Sequence, residues 1–233
     1  MSLLNKLFNF VLLTTQKYNI DESCGLSHSM AVLRTANELY EEEVGQYPFL
    51  KQQEKIIYVA STVHDMCEKK YAGIRNGISS DSAGIRSVIT SRIPANQADG
   101  IKEIDAFLNE NMLPMDINIV KLIISAMSYS YVKENGFPVM GPYKQAYHIV
   151  READLLTAYD FDRCMIYNMH RKNGNVEEAF QEATALFQNR VLRHNDDELF
   201  TLASSRKKSL ILETRALAQI DTWKRLIKNP ILK

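Results

Sequence analysis

Apolar residues recur at the three- and four-residue spacing of amphipathic helices along nearly the whole chain, and hardly any segment alternates as a half-buried strand does. Glycine and proline mark breaks between the periodic segments. No internal repeat, low-complexity tract or linker divides the 233 residues into separate domains. The pattern therefore predicts one all-α domain, with helices over residues 3–13, 23–45, 58–71, 84–93, 94–111, 115–131, 143–170, 177–193 and 204–227.

The helix predicted over 58–71 combines an apolar stripe with an adjacent histidine and aspartate. Val59, Val63 and Cys67 fall on the stripe, and His64 and Asp65 lie at its edge. An imidazole and a carboxylate at the boundary of a buried face are unfavourable unless a partner satisfies them. A divalent metal ion satisfies both at once, because neutral imidazole and carboxylate are common metal ligands.

Two further predicted helices carry a polar residue beside their apolar faces. In the second helix, His28 lies on the flank of a stripe that includes Met30 and Leu33. In the helix over 143–170, Asp154 follows Val150 by four residues and so lies on or beside an apolar face. An aspartate is rarely found in such a position unless it is paired.

Each of these residues also has a purely structural interpretation. His28 would be a hydrogen-bonded core histidine, and Asp154 would pair with a base such as Arg151 or Arg163. A metal ion accounts for all of them together, since a mixed nitrogen and oxygen site suits Mn, Mg, Co, Ni, Fe or Zn and leaves positions for water. The sequence therefore predicts a divalent metal site with ligands at His28, His64, Asp65 and Asp154.

Charge and cysteine content narrow the class of protein. Basic and acidic residues number 28 each, so the chain lacks the basic excess of proteins that bind polymeric nucleic acid, although a single nucleotide could still bind in a locally basic pocket. Cys24, Cys67 and Cys164 show no C-x-x-C spacing, which favours a reducing, cytoplasmic compartment.

The apolar segment 3–13 contains Lys6 and precedes no small-residue cleavage site, so we expect a helix and no signal peptide. No stretch is long enough to predict a membrane span.

Three stretches carry a resemblance to a known family. The order of the four predicted ligands over three helices resembles the HD superfamily of metal-dependent phosphohydrolases. Residues 64–70, HDMCEKK, resemble the HD-x-x-[DE]-x-K motif of small bacterial HD hydrolases, some of which are nucleotide pyrophosphohydrolases. Residues 127–131, MSYSY, are similar to an M-S-F-S-K stretch in those proteins. Residues 153–158, ADLLTA, match A-D-x-L-x-A, with Arg163 beyond them.

The resemblance implies a fold, an activity and a partner. It implies a single HD-type helical bundle over 1–233, with a core at about 23–170 and a C-terminal helical extension at about 171–233. It also implies metal-dependent hydrolysis of a small phosphorylated molecule, most simply a nucleotide, at a phosphomonoester or pyrophosphate bond. The alternative is a non-catalytic HD module that binds a metal and a nucleotide as a sensor or partner-binding protein. The oligomeric state stays open, a homodimer included.

Within this resemblance, three positions receive catalytic roles. Asp65 acts as a metal ligand, and Glu68 lies four residues after His64, where it would orient or deprotonate the attacking water. Lys70, and less directly Lys69, would bind phosphate oxygens. The structural alternatives are an exposed glutamate paired with a lysine, and lysines placed at a solvated helix end by the helix dipole.

The chain also departs from the family pattern. Tyr131 replaces the lysine of M-S-F-S-K, so that a phosphate contact is either lost or moved to Lys133. Leu155 replaces an arginine that commonly follows the last ligand. Only His148 lies between the HD pair and Asp154, and its six-residue separation turns it away from the aspartate. We therefore expect one metal ion, which argues against an oxygenase with two irons on the same scaffold.

Overall fold

Every regular element of the described residues is helical, which confirms the all-α prediction. The computed structural model describes residues 1–18, 20, 24–67, 104–229 and 231. In chain order the α-helices are α1 (Leu3–Tyr18), α2 (Leu26–Glu43), α3 (Glu54–Val63), α4 (104–111), α5 (Pro114–Ala126), α6 (Tyr129–Asn135), α7 (Lys144–Thr157), α8 (Phe161–Arg171), α9 (Val176–Asn189) and α10 (Ala203–Lys228). Short 3₁₀ turns occupy Pro48–Gln52, His64–Cys67, Gly141–Tyr143 and Val191–Arg193.

Helix α7 is the centre of the bundle. Ten of its fourteen residues are buried, so that apolar side chains face neighbours on nearly all sides. It packs against α2 and α3, which also pack against each other, and α1 and α5 extend this layer beyond α3. Helices α9 and α10, which belong to the predicted C-terminal extension, pack against each other and against α8, and α10 also contacts α7 and α2.

Two helices that were predicted as continuous are divided by capping residues. The prediction of one helix over 143–170 is wrong, because α7 ends at Thr157 and the Asp160 side chain accepts a hydrogen bond from the backbone N–H of Arg163 to begin α8. The helix predicted over 115–131 ends at Ala126, and Ser128 caps α6. Serine and aspartate bind nearby backbone N–H groups, so they start new helices inside an unbroken apolar pattern.

The predicted apolar stripe of α2 is wrong at Met30. Met30 is 51% exposed, whereas His28, Val32 and Leu39 are buried. Because α2 packs against both α3 and α7, its buried face is centred on the residues between these helices. His28 therefore lies within the buried face and not on its flank.

The helix predicted over 58–71 begins at Glu54 and ends at Val63, and His64–Cys67 continue as a 3₁₀ turn. The helix predicted over 84–93 and most of that over 94–111 lie outside the described residues. The predicted cap of α9 is confirmed, since the Asn175 side-chain oxygen accepts a hydrogen bond of 3.1 Å from the backbone N–H of Glu178. In the described ranges, no helix combines the length and apolar character needed to cross a membrane.

A buried carboxylate joins α7 to the start of α10. Glu152 is fully buried, and its side chain accepts hydrogen bonds from the backbone N–H groups of Thr201 and Leu202 at 2.8 and 3.2 Å. Arg151 donates to the same carboxylate at 3.1 Å. Burial alone would raise the pKa of Glu152, but the neighbouring His148, Arg151 and Thr201 lower it. Leu202 directly precedes α10, and its side chain cannot cap the helix. The carboxylate of Glu152 therefore supplies the hydrogen-bond acceptor at this helix start.

We expect Glu152→Ala to lower the free energy of unfolding by about 3–5 kcal/mol, because it leaves the buried Arg151 guanidinium and two backbone N–H groups without their acceptor. Urea denaturation measures this loss. The matched control is Glu134→Ala, at an exposed residue without an ion-pair partner in the described part of the chain, which should change stability by no more than about 0.5 kcal/mol. Equal stability of the two variants would contradict the role of Glu152.

Candidate metal centre

The three helices that pack around the core each contribute to one cluster of polar side chains. His28 lies in the first turn of α2, His64 and Asp65 directly follow α3, and Asp154 lies near the end of α7. Because α2, α3 and α7 all contact one another, their ligand-bearing ends converge. All four residues that were predicted as metal ligands are brought together in this way.

The cluster is compact. The Nε2 atoms of His28 and His64 are 3.2 Å apart, and the Asp65 carboxylate oxygens lie 3.1 Å from the first and 3.4 Å from the second. His28, His64 and Asp65 form a group that could hold a metal ion. The Oδ1 atom of Asp154 lies 3.4 Å from Nε2 of His28 and 3.5 Å from Nε2 of His64.

The distances among His28, His64 and Asp65 fit a single ion, and Asp154 lies beside this group. Ligands at about 2.1 Å from a metal are about 3.0 Å apart at right angles and about 3.4 Å apart at tetrahedral angles. Both imidazoles are only 4% exposed, whereas the side chain of Asp154 is 29% exposed. Two imidazole nitrogens and two carboxylates suit divalent transition metals, and the exposure of Asp154 leaves one side of the cluster open.

The second nitrogen of each imidazole has a different neighbour. Nδ1 of His64 lies 2.9 Å from the carbonyl oxygen of Ser61, so this nitrogen donates and Nε2 is the nitrogen that faces the cluster. That carbonyl lies in the last turn of α3, where a side chain can serve as the hydrogen-bond donor. Nδ1 of His28 instead accepts a hydrogen bond from Nη1 of Arg163. The sequence analysis missed both contacts, since the first depends on the end of α3 and the second on the start of α8.

Proton positions follow from the charges of the cluster. Burial alone would lower the pKa of His64, but the charge of Asp65 and the hydrogen bond and charge of Asp154 outweigh it and raise the pKa of His64 to about 9. Burial alone would raise the pKa of the two aspartates, and the histidines outweigh it and lower the pKa of both. Without a metal ion, His64 is therefore protonated at neutral pH and both carboxylates are ionised.

The predicted phosphate contacts are only partly described. Glu68, Lys69 and Lys70 lie outside the described residues. Lys133, the alternative phosphate ligand, forms an ion pair of 2.6 Å with Asp197. Its ammonium group is therefore bound to a carboxylate of the protein.

The structural interpretation of Asp154 predicted an arginine partner. Arg151 instead donates to Glu152 and to the carbonyl oxygen of Leu199. The carboxylate of Asp154 contacts the two histidines of the cluster. Leu155, the departure from the family pattern, is buried and so contributes to the core.

The remaining histidines occupy other parts of the fold. Nδ1 of His148 lies 3.5 Å from Glu152, and its ring packs against Phe137, while His170 is exposed in the last turn of α8. His194 is completely buried, and neither of its ring nitrogens has a hydrogen-bond partner among the described residues. Aromatic rings surround it, with centroids at 5.5 Å (Tyr129), 5.7 Å (Tyr159) and 6.2 Å (Phe200).

Comparison with known proteins adds no assignment to this geometry. No family model, no curated protein and no solved structure matches the chain significantly. The HD interpretation therefore rests on the residues of the chain and on the positions that the fold gives them.

We expect His194 to make stability fall as the solution becomes acidic. Burial and the charge of Arg190 lower the pKa of His194 to about 3, below the 6.5 of an unfolded chain. As pH falls through 6.5 the unfolded chain gains a proton that the folded protein does not bind, so stability decreases. Between pH 7 and pH 4, the wild type should lose about 3 kcal/mol more than His194→Phe in urea denaturation.

The control for this measurement is His170→Phe, at an exposed histidine, whose pH profile should follow that of the wild type. Parallel profiles for the wild type and His194→Phe would show that His194 binds its proton equally in the folded and unfolded chains.

We expect the chain to bind one divalent ion and to release a proton from His64 when it does so. Because the pKa of His64 is about 9 without the ion, affinity should rise about tenfold for each pH unit from 7 to 9 and then level off. Titration calorimetry in buffers of different ionisation enthalpy measures both effects. Asp65→Asn should abolish binding, whereas Asp196→Asn, an exposed aspartate outside the cluster, should not change it. A constant affinity from pH 7 to 9 would contradict this proton assignment.

Proposed function

We propose that the chain is an HD-type, metal-dependent phosphohydrolase that acts on a small phosphorylated molecule, with a nucleotide as the leading substrate. The observation that supports this proposal is the convergence of His28, His64, Asp65 and Asp154 from three helices, with contacts of 3.1–3.5 Å. The same four residues carry the resemblance to the HD superfamily in their order along the chain.

In this proposal the four residues hold one divalent ion, which when bound would lower the pKa of a water and polarise a phosphoryl oxygen. Asp65 and Asp154 supply the negative charge that balances the ion. The Ser61 carbonyl holds the His64 ring in the tautomer that presents Nε2 to the site. The exposed side of Asp154 gives the substrate access.

The sequence assigns the remaining steps to residues that follow the cluster. Glu68 would accept a proton from the attacking water, and Lys70 would bind phosphate oxygens of the substrate. Balanced overall charge fits a small substrate better than polymeric nucleic acid. The thiol of Cys164 forms no disulfide, in accord with a reducing, cytoplasmic compartment.

The second candidate function is a binding module that holds a metal and a nucleotide without hydrolysing it. The ion pair between Lys133 and Asp197 favours this alternative, because it occupies the lysine that could replace the contact missing at Tyr131. Leu155 likewise places no charge beside Asp154. Activity and ligand binding therefore have to be measured separately.

We expect the metal-stripped chain to release phosphate from nucleoside monophosphates, or pyrophosphate from nucleoside triphosphates, after addition of Mn, Co, Ni, Mg or Zn. Asp65→Asn should reduce turnover by more than about a hundredfold, since changes to groups that merely orient metal ligands already cost about ten- to a hundredfold. Asp196→Asn should retain full turnover.

The identity of the released product names the bond that is cleaved. Absence of turnover with every metal, while the wild type still binds metal and nucleotide, would reject the hydrolase and favour the binding module. Turnover that persists in Asp65→Asn would instead place the activity elsewhere or in a contaminant.

A further inference from the structure

The side of helix α10 that faces away from the bundle is apolar at its middle. The opposite side packs on the rest of the chain, with Ser209 and Ala216 buried. On the side that faces away, Leu210 is 59% exposed, Ile211 is 64% exposed and Leu217 is 49% exposed. Single exposed aliphatic residues are ordinary, but three within two turns of one helix form a patch of the kind that binds another protein.

The spacing of residues along α10 places a line of polar side chains through the middle of this patch. Residues seven apart lie nearly in line on a helix, so Lys207, Thr214 and Asp221 follow one another along the helix axis. All three are exposed. The line therefore carries a cation at one end and an anion at the other, at equal distances from Thr214.

Two apolar rows flank this line. Leu210 and Leu217 lie on one side of it, and Ile211 and Ala218 lie on the other. The outer face of α10 is defined by Lys207, Leu210, Ile211, Thr214, Leu217, Ala218 and Asp221.

The outer face of α10 is complementary to a second copy of itself in the antiparallel direction. A two-fold axis beside Thr214 brings positions that lie equally far before and after residue 214 opposite each other, and it keeps each flanking row on its own side. Leu210 then packs near Leu217 of the second copy, and Ile211 packs near Ala218 of the second copy. Apolar side chains therefore meet apolar side chains along both rows.

The charges of the outer face select the same direction. In the antiparallel pair, Lys207 lies opposite Asp221 of the second copy, and the symmetry repeats this contact at the other end. A parallel second copy would instead place Lys207 beside Lys207 and Asp221 beside Asp221. Because like charges that face each other disfavour association, the charge pattern excludes the parallel pair.

The length of the outer face sets the strength of the contact. The 14 residues from Lys207 to Asp221 span about 21 Å at about 1.5 Å per residue. Two helices that meet over this length bury less than the roughly 1,200 Å² of a stable complex. We therefore expect a dimer that forms and dissociates with protein concentration.

We propose that the outer face of α10 is the interface of a homodimer, in which two copies of this helix pack antiparallel about a two-fold axis at Thr214. The occupant of the patch is a second copy of this chain. The proposal does not rest on the proposed function, since none of the seven residues belongs to the metal cluster.

The test is a charge reversal and exchange across the interface, measured by sedimentation velocity from low micromolar to near-millimolar protein. Lys207→Glu and Asp221→Lys should each weaken dimerisation at least about tenfold, because each places like charges opposite one another at both ends. The double variant exchanges the two charges and should return the dissociation constant to within about threefold of the wild type. Both side chains are exposed, and circular dichroism checks that each variant is folded.

Lys51→Glu is the matched control, because it makes the same change of charge at an exposed lysine in the 3₁₀ turn Pro48–Gln52, and it should leave dimerisation unchanged. A wild type that stays monomeric at every concentration would overturn the proposal and leave the face to a different partner. A dimer that Lys207→Glu does not weaken, or that the double variant does not restore, would also overturn it.

Cysteine cross-linking measures the direction of the helices independently. Thr214→Cys should form a disulfide-linked dimer under mild oxidation, because residue 214 lies beside its own copy at the two-fold axis. Lys207→Cys should not, since its two copies lie about 21 Å apart in the antiparallel pair. The wild type, which contains three cysteines, sets the background. Cross-linking of Lys207→Cys as fast as Thr214→Cys would overturn the antiparallel arrangement.

Discussion

The structure depends on holding two carboxylates beside two imidazoles where helices α2, α3 and α7 meet. Burial and mutual repulsion disfavour ionised Asp65, and the neighbouring histidines reverse this effect. Asp154 is held at the cluster because the helix that carries it is buried on nearly all sides. The packing of the three helices therefore places two carboxylates at one point, where a bound cation would balance their charge.

Helix ends supply the contacts that orient the site. The last turn of α3 places the carbonyl of Ser61 at Nδ1 of His64. The gap between α7 and α8 lets Asp160 start a new helix, whose first turn brings Arg163 to His28. The contacts at these two helix ends thus determine which groups face Nδ1 of each histidine of the cluster.

Sequence reasoning predicted that these four residues belong together because each is a polar residue on a helix with an otherwise apolar face, and such residues need a partner. It placed Met30 on the buried face of α2, whereas Met30 is exposed. Periodicity alone does not tell which side of a helix packs against two neighbouring helices. It also joined α7 to α8, because the apolar pattern continues through Asp160. The contact between Arg163 and His28 depends on that break and could not be predicted without it.

Two acids on α7 differ in the kind of partner that binds their carboxylates. Glu152 is fully buried, and backbone N–H groups of the segment before α10 bind its oxygens. Backbone donors stay fixed in the fold, so Glu152 cannot exchange them for a ligand. Asp154, two residues later, is partly exposed and contacts the side chains of His28 and His64, which can turn their lone pairs to a cation. Partial exposure and side-chain partners, which Glu152 lacks in this combination, therefore distinguish Asp154 as the candidate metal ligand.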